Sequence, residues 1–315
     1  MMFRNVINRI AVFIVTLVAS SIIVFLLLSA LPGDAASTSL GTDASAAALV
    51  AKRHELGLDQ PLPIRYWVWA TNILQGNMGI SAISGVNIAT DVFNGLQVTL
   101  ILVITAMIIA LIIAFGFGIL AARFQDRAFG FIISVLSQVG IAIPSFLAGL
   151  ILVIVFAVQL RILPATGWVA PDDPGGFASH LILPAFSLGL VQGAIMSRYV
   201  RSAMLEVIGD DFMRTARSKG LSRNGALRRH GIRNALVPIM NVAGIEMASM
   251  LIGAVVVERV FEIRGLGSLL ISSVENRDLP EVQSIVMVLV VLVLVVNLIV
   301  DLLSAVIDPR IRGAR

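Results

Sequence analysis

Residues 129–160 read FGFIISVLSQVGIAIPSFLAGLILVIVFAVQL, an uncharged run interrupted by Pro144. A helix crosses the hydrocarbon core of a bilayer in about 20 apolar residues. The run is too long for one straight crossing and too apolar for a soluble loop. A single helix kinked at Pro144 accounts for it, because neighbouring helices can satisfy the backbone groups that proline frees. Two short half-helices meeting at Pro144 are the alternative, and would give seven segments in all.

Working outward, apolar runs also occupy residues 10–31, 98–122, about 181–200, about 236–257 and about 283–307. The first exceeds the apolar core of a cleaved signal, about 7–15 residues, so a retained anchor is favoured. Of the 315 residues, 58% are hydrophobic and 13% charged, whereas a soluble domain is roughly 45–50% apolar and about 25% charged. Disorder, which needs low hydrophobicity, is excluded. There is no cysteine, and His54, His180 and His230 stand far apart, which argues against a zinc site. The expected fold is all-α: a polytopic membrane protein with six transmembrane helices, forming one domain over residues 1–315. Residues 32–97 form an extended loop after the first helix, with a helical-looking stretch at 44–56. All three tryptophans, Trp67, Trp69 and Trp168, fall on this same side of the membrane. Anchoring at the interface explains them; contact with an external partner is the sharper alternative.

The net charge of +4 is unevenly placed. With six crossings, sixteen of the 23 Lys and Arg residues fall on one side: Arg4, Arg9, Arg123, Arg127, nine between 198 and 235, and three after 309. The positive-inside rule makes that side cytoplasmic, with both termini inside. The basic excess therefore points to a bilayer and not to nucleic acid.

The usual signatures of covalent chemistry are missing. There is no phosphate-binding G-x-x-x-x-G-K-[ST], no G-x-S-x-G and no H-E-x-x-H. Two acids lie well inside crossings, Glu246 and Asp301. Glu246 sits about 15 Å deep by helical rise. A carboxylate there faces either a substrate pathway or a polar partner on a neighbouring helix. Asp301, with Asn297 one turn away near the inner end, reads as structural.

The most organised loop spans residues 201–238, RSAMLEVIGDDFMRTARSKGLSRNGALRRHGIRNALVP. It reads as two short helices joined at a turn. Asp210 or Asp211 can cap the first, Gly220 ends it, and Ser222 caps the second. Arg214, Arg217 and Lys219 crowd the end of the first helix, while Ala216 leaves a small flat spot. A solvated basic loop, or one that binds anionic lipid, is the plainer reading. Yet caps and a glycine hinge are more organisation than an orientation signal needs.

Here the sequence resembles the membrane permease subunit of bacterial ABC importers, in the dipeptide, oligopeptide and nickel uptake branch, B-type. Arg214-Thr215-Ala216-Arg217-Ser218-Lys219-Gly220-Leu221 matches that branch's form of the EAA signature, followed by Arg229-His230 and Arg233-Asn234-Ala235-Leu236-Val237-Pro238. The general motif begins with Glu, where this chain has Arg214. Further matches are Leu31-Pro32-Gly33-Asp34, Leu56 to Pro63, Ile143-Pro144-Ser145-Phe146, Leu163 to Trp168, Glu258 to Phe261, Gly265-Leu266-Gly267, Asn276-Arg277-Asp278 and Asp308-Pro309-Arg310. One departure is Ile263-Arg264 before Gly265, where the branch often has Trp-Pro.

The resemblance implies a type I importer permease without its own ATPase site, in the bacterial inner membrane. It implies a C-type permease partner, two cytoplasmic ATPases that bind the ATP and magnesium, and an external substrate-binding protein. No cofactor is expected in this chain. The loop at about 201–235 becomes a coupling loop, carried by Arg214, Thr215, Ala216, Arg217, Lys219 and Gly220. Glu246 and Pro144 are the candidates for the translocation pathway. An ion-coupled secondary transporter is the alternative, and would show repeated halves and intramembrane coupling carboxylates; a membrane-embedded enzyme is a third class, with no catalytic set to support it.

Overall fold

The computed structural model describes residues 2–31, 33–40, 44–211, 215, 218–220, 222, 225 and 232–307. Among them there is no β-strand, only an isolated bridge between Ile80 and Asn87. The helices are α1 (Met2–Ser29), α2 (Ala35–Leu40), α3 (Ala46–Glu55), α4 (Leu62–Leu74), α5 (Ile88–Arg123) and α6 (Ala128–Ala142). They continue with α7 (Ser145–Leu152), α8 (Pro174–Gly209), α9 (Ile232–Val260), α10 (Leu266–Glu275) and α11 (Leu279–Ile307). Helix α7 runs on as a π-helical segment, Val153–Gln159, where Leu160 N–H donates to Val155 O at 2.9 Å.

Five helices are long and apolar enough to cross a membrane, and α6 with α7 and its extension counts as a sixth if taken as one broken span. The run at 129–160 is not one kinked helix. Its halves meet at 101°. The cause is local: Ile143 (φ −94°, ψ 119°) and Pro144 (φ −60°, ψ 145°) are both extended. Proline pushes the residue before it out of the helical region and offers no N–H to bridge the gap.

Two compact units can be described separately. The first contains residues 100–263 with both chain ends. Its centre is α8, which carries sixteen buried residues. Asp173 starts α8 by accepting the Gly176 N–H at 3.1 Å, with Pro174 in the first turn, where proline costs no hydrogen bond. Small residues let neighbours approach closely: a Cβ on Gly189 would stand 2.8 Å from Ala106 O, and one on Gly193 2.8 Å from Ile113. Close approach of this kind is how helices gain packing in lipid, which is itself apolar.

The bent pair climbs along α8. Ser197 donates to Ser137 at 2.8 Å. A Cβ on Gly140 would meet Ala194, one on Gly149 would lie 3.5 Å from Ser187, and one on Gly167 3.6 Å from the His180 ring. As the pair advances from 137 to 149, its partner on α8 retreats from 197 to 187, about 15 Å at helical rise. The contacts advance in one direction along α8, and Gly167, past the end of the pair, lies nearer still to the start of that helix.

The second unit contains residues 10–99 and 264–295. The helical stretch expected at 44–56 is α3, capped by Ser45, which accepts the Ala48 N–H at 3.2 Å. The loop ends earlier than the expected residue 97, because α5 already starts at Ile88. Asn87 starts it by accepting the Ala89 N–H at 2.9 Å, and Ile88 and Val92 are wholly buried with Leu266 and Ile285. Leu266 N–H donates to Thr99 Oγ1 at 2.9 Å.

Candidate functional site

The loop expected to start at about residue 201 begins nearer the C-terminus, because α8 runs on to Gly209. Asp210 stops it in an extended conformation, with its N–H on Val207 O. Beyond it Thr215 Oγ1 donates to Asp211 O at 3.0 Å, and Lys219 N–H donates to Thr215 O at 3.1 Å. The second contact has the i to i+4 spacing of a helix. Gly220 follows with φ +89° and nothing within 4 Å of where a Cβ would stand. That backbone region favours glycine, so the stop predicted from the sequence forms. Ser222 Oγ then accepts the Gly225 N–H at 3.1 Å, a helix-starting contact. Thr215, Lys219 and Gly220 are exposed. Arg214, Ala216 and Arg217 lie outside the described residues.

Glu246 is half-buried on α9 and makes no hydrogen bond or ion pair among the described residues. Pro144 is not brought to it. Its neighbour Ser145 lies 3.7 Å from a Cβ built on Gly253, which is seven residues, about 10 Å, further along α9. Asp301 pairs with Arg9 at 3.3 Å, a contact joining α11 to the start of the chain.

From the sequence, no role was assigned to a buried polar node in the second unit. Asp278 is 1% exposed. It accepts the Ser81 hydroxyl at 2.5 Å and the N–H groups of Ala82 at 3.3 Å and Ile83 at 3.4 Å. It also accepts the Glu281 N–H at 3.3 Å and so caps α11. The findable signal was an Asp ahead of Leu-Pro at the start of an apolar run. In the same unit a cleft of about 500 Å³ is lined by Phe25, Leu58, Gln60, Arg65, Trp69 and Gln283, among others. The Leu56–Gln60 motif forms part of its wall, and Phe25, Tyr66 and Trp69 pack edge-on or tilted with ring centroids 5.5–6.0 Å apart. Trp69 is thus engaged within the protein, while Trp67 is 68% exposed. Among the described residues no cluster of His, Asp and Glu could hold a metal.

Residues 114–313 match the family model described as binding-protein-dependent transport system inner membrane component, and residues 2–87 match that family's N-terminal domain. The chain belongs to this family. It is the membrane permease subunit of an ABC importer. The permease is 38% identical to glutathione transport system permease protein GsiC of Escherichia coli strain K12, with 99% of each chain covered. It is 37% identical to GsiC of Salmonella choleraesuis over the same share. Among solved structures, the methionine ABC transporter MetNI in an inward-facing conformation matches with TM-score 0.57 and 16% identity, covering 69% of the permease and 96% of that chain. An amino acid ABC transporter with histidines matches with TM-score 0.50 and 19% identity, covering 68% and 93%. Both support the type I permease fold alone.

Proposed function

We propose that this permease is one half of a heterodimeric pathway for di- or oligopeptides, or a related small solute, across a bacterial inner membrane. The observation that carries the substrate class is the 38% identity, over 99% of both chains, to a permease named for glutathione transport. A C-type permease forms the other half, an extracytoplasmic binding protein delivers the solute, and two cytoplasmic ATPases supply the energy. ATP and magnesium belong to those ATPases, and the permease has no ATPase site of its own.

Coupling runs through the segment before Gly220. Ala216 gives the close approach, Arg214, Arg217 and Lys219 face acidic groups on an ATPase, Thr215 holds the segment and Gly220 reverses the chain. ATPase closure then moves this segment as a lever, and the crossings on either side move with it. Glu246 meets cationic parts of the solute, and the break at Pro144 gives the pathway its discontinuous wall. The sixteen basic residues of one side support a cytoplasmic location for both termini and this segment.

The test is reconstitution of the complex purified through a tag on the permease. ATPase subunits should co-purify, and uptake should need ATP and survive an uncoupler. Uptake that runs without ATP and collapses with an uncoupler would return the chain to the ion-coupled alternative.

A further inference from the structure

A second polar feature lies within the first unit, away from the coupling turn, Glu246 and the Pro144 break. Helices α6 and α8 enclose a small pocket of about 190 Å³ lined by Ser134, Ser137, Gln138, Arg198, Arg201 and Ser202, among others. Its walls follow from helical spacing. Ser134, Ser137 and Gln138 stand three and four apart on α6, and Arg198, Arg201 and Ser202 do the same on α8, so each set shares one face. The Ser197–Ser137 hydrogen bond, at 2.8 Å, holds the two faces together.

The lining contains two guanidinium groups and no carboxylate. Among the described residues neither Arg198 nor Arg201 is in an ion pair. Arg198 is exposed, but Arg201 Nε is buried and has no hydrogen-bond partner among the described residues. A buried charged donor left unpaired is costly. The pocket is therefore short of an acceptor, and an anion supplies it. Arginine forks match the paired oxygens of a phosphate, and the Gln138 amide and Ser202 hydroxyl add neutral donors.

Depth and surroundings choose among phosphates. The pocket lies where the apolar stretch of α8 ends, close to the headgroup level of a bilayer. Phe131 and Val135 stand one turn from Ser134 and Gln138 on α6 and are 69% and 43% exposed. An acyl chain fits beside them; a free phosphate gains nothing from them. We propose that this pocket binds the phosphodiester headgroup of an anionic phospholipid, with its acyl chain along Phe131 and Val135. A seated lipid would brace α6 against α8 at the base of the broken span. The inference rests on the membrane reading but not on the substrate or on coupling.

The experiment titrates the delipidated importer complex in detergent with phosphatidylglycerol, with phosphatidylcholine and with inorganic phosphate, reading bound lipid by native mass spectrometry. Phosphatidylglycerol should bind in preference to phosphatidylcholine, and millimolar phosphate should not displace it. Arg198→Gln with Arg201→Gln should weaken binding by about fivefold for each arginine removed. Arg127→Gln removes a charge at the same end, where that side chain stacks on Phe124, and should change little. Arg201→Lys, which keeps the charge and loses the fork, should fall between. Equal loss in Arg127→Gln would mean that a diffuse basic field suffices, and would overturn the pocket. Unchanged binding in the double variant would do the same, and full displacement by phosphate would replace the lipid with a free anion.

Discussion

Asp278 accepts four hydrogen bonds through its carboxylate, although it touches no proposed site. It caps α11 and also holds the turn at 81–83 through one hydroxyl and two backbone donors. Replacing it with alanine removes a cap and strands buried donors, at a cost of about 2–4 kcal/mol. Thermal unfolding of the purified complex should register that loss, with Asp278→Asn falling between the two; an unchanged midpoint would contradict the anchoring role. Asp34 makes a different prediction. Burial works against its charge, but the Ser37 N–H, the Arg53 guanidinium and the Ser37 hydroxyl outweigh it and hold its pKa below the usual 3.8. A depressed carboxylate contributes stability above its unfolded value and loses it as pH falls through the folded one. The Arg53–Asp34 contact at 2.6 Å should therefore protect the α2–α3 segment from protease at neutral pH and release it only below pH 4 or so. Because the pair is partly exposed, the effect is on the order of 1 kcal/mol or less. Asp34→Asn should abolish the acid step, and an acid step of the same size in that variant would refute the assignment.

At the scale of elements, the break at Pro144 carries the most. Pro144→Ala restores an N–H and frees Ile143 to turn helical, so α6 and α7 should tend to straighten. The chain has no cysteine, so introduced pairs report cleanly. Ser145→Cys with Gly253→Cys should cross-link readily when Pro144 is present and poorly in Pro144→Ala. Ser137→Cys with Ser197→Cys should cross-link in both backgrounds; equal cross-linking of the first pair would mean that proline does not set the bend. Much of this element structure is legible in the sequence. The apolar runs locate every crossing, and Gly220 and Ser222 mark the stop and start around the turn. The 101° bend was not legible as an angle, because a proline in an apolar run fits a mild kink equally well. The first turns of α5 were hidden for another reason. Asp91, Asn94 and Gln97 make residues 88–97 look like loop, and only burial against Leu266 and Ile285, far along the chain, makes them helix. The Arg9–Asp301 pair and the Arg198–Arg201 pocket were equally invisible, since each depends on which helices become neighbours.

For the whole molecule, the crossing count and the charge bias support each other. If the bent pair returned to its own side, the basic segment around 198–235 would face outward, against the positive-inside rule. Reporter fusions after Arg127 and Arg223 should read inside, and those after Asp59, Asp172 and Asp278 outside. An inside reading at Asp172 would make the pair re-entrant, and an outside reading at Arg223 would remove the coupling turn from reach of ATP. The segment before Gly220 is proposed to couple the permease to ATP hydrolysis. The most direct test is substrate-stimulated ATP hydrolysis and uptake by the reconstituted importer carrying Ala216→Asp and Gly220→Val. Bulk and charge at the contact, and a Cβ forced into positive φ at about 1–2 kcal/mol, should leave membrane insertion intact. Stimulated hydrolysis and uptake should then fall together at matched permease levels. Wild-type values for both would contradict the account and leave residues 211–220 as a solvated loop.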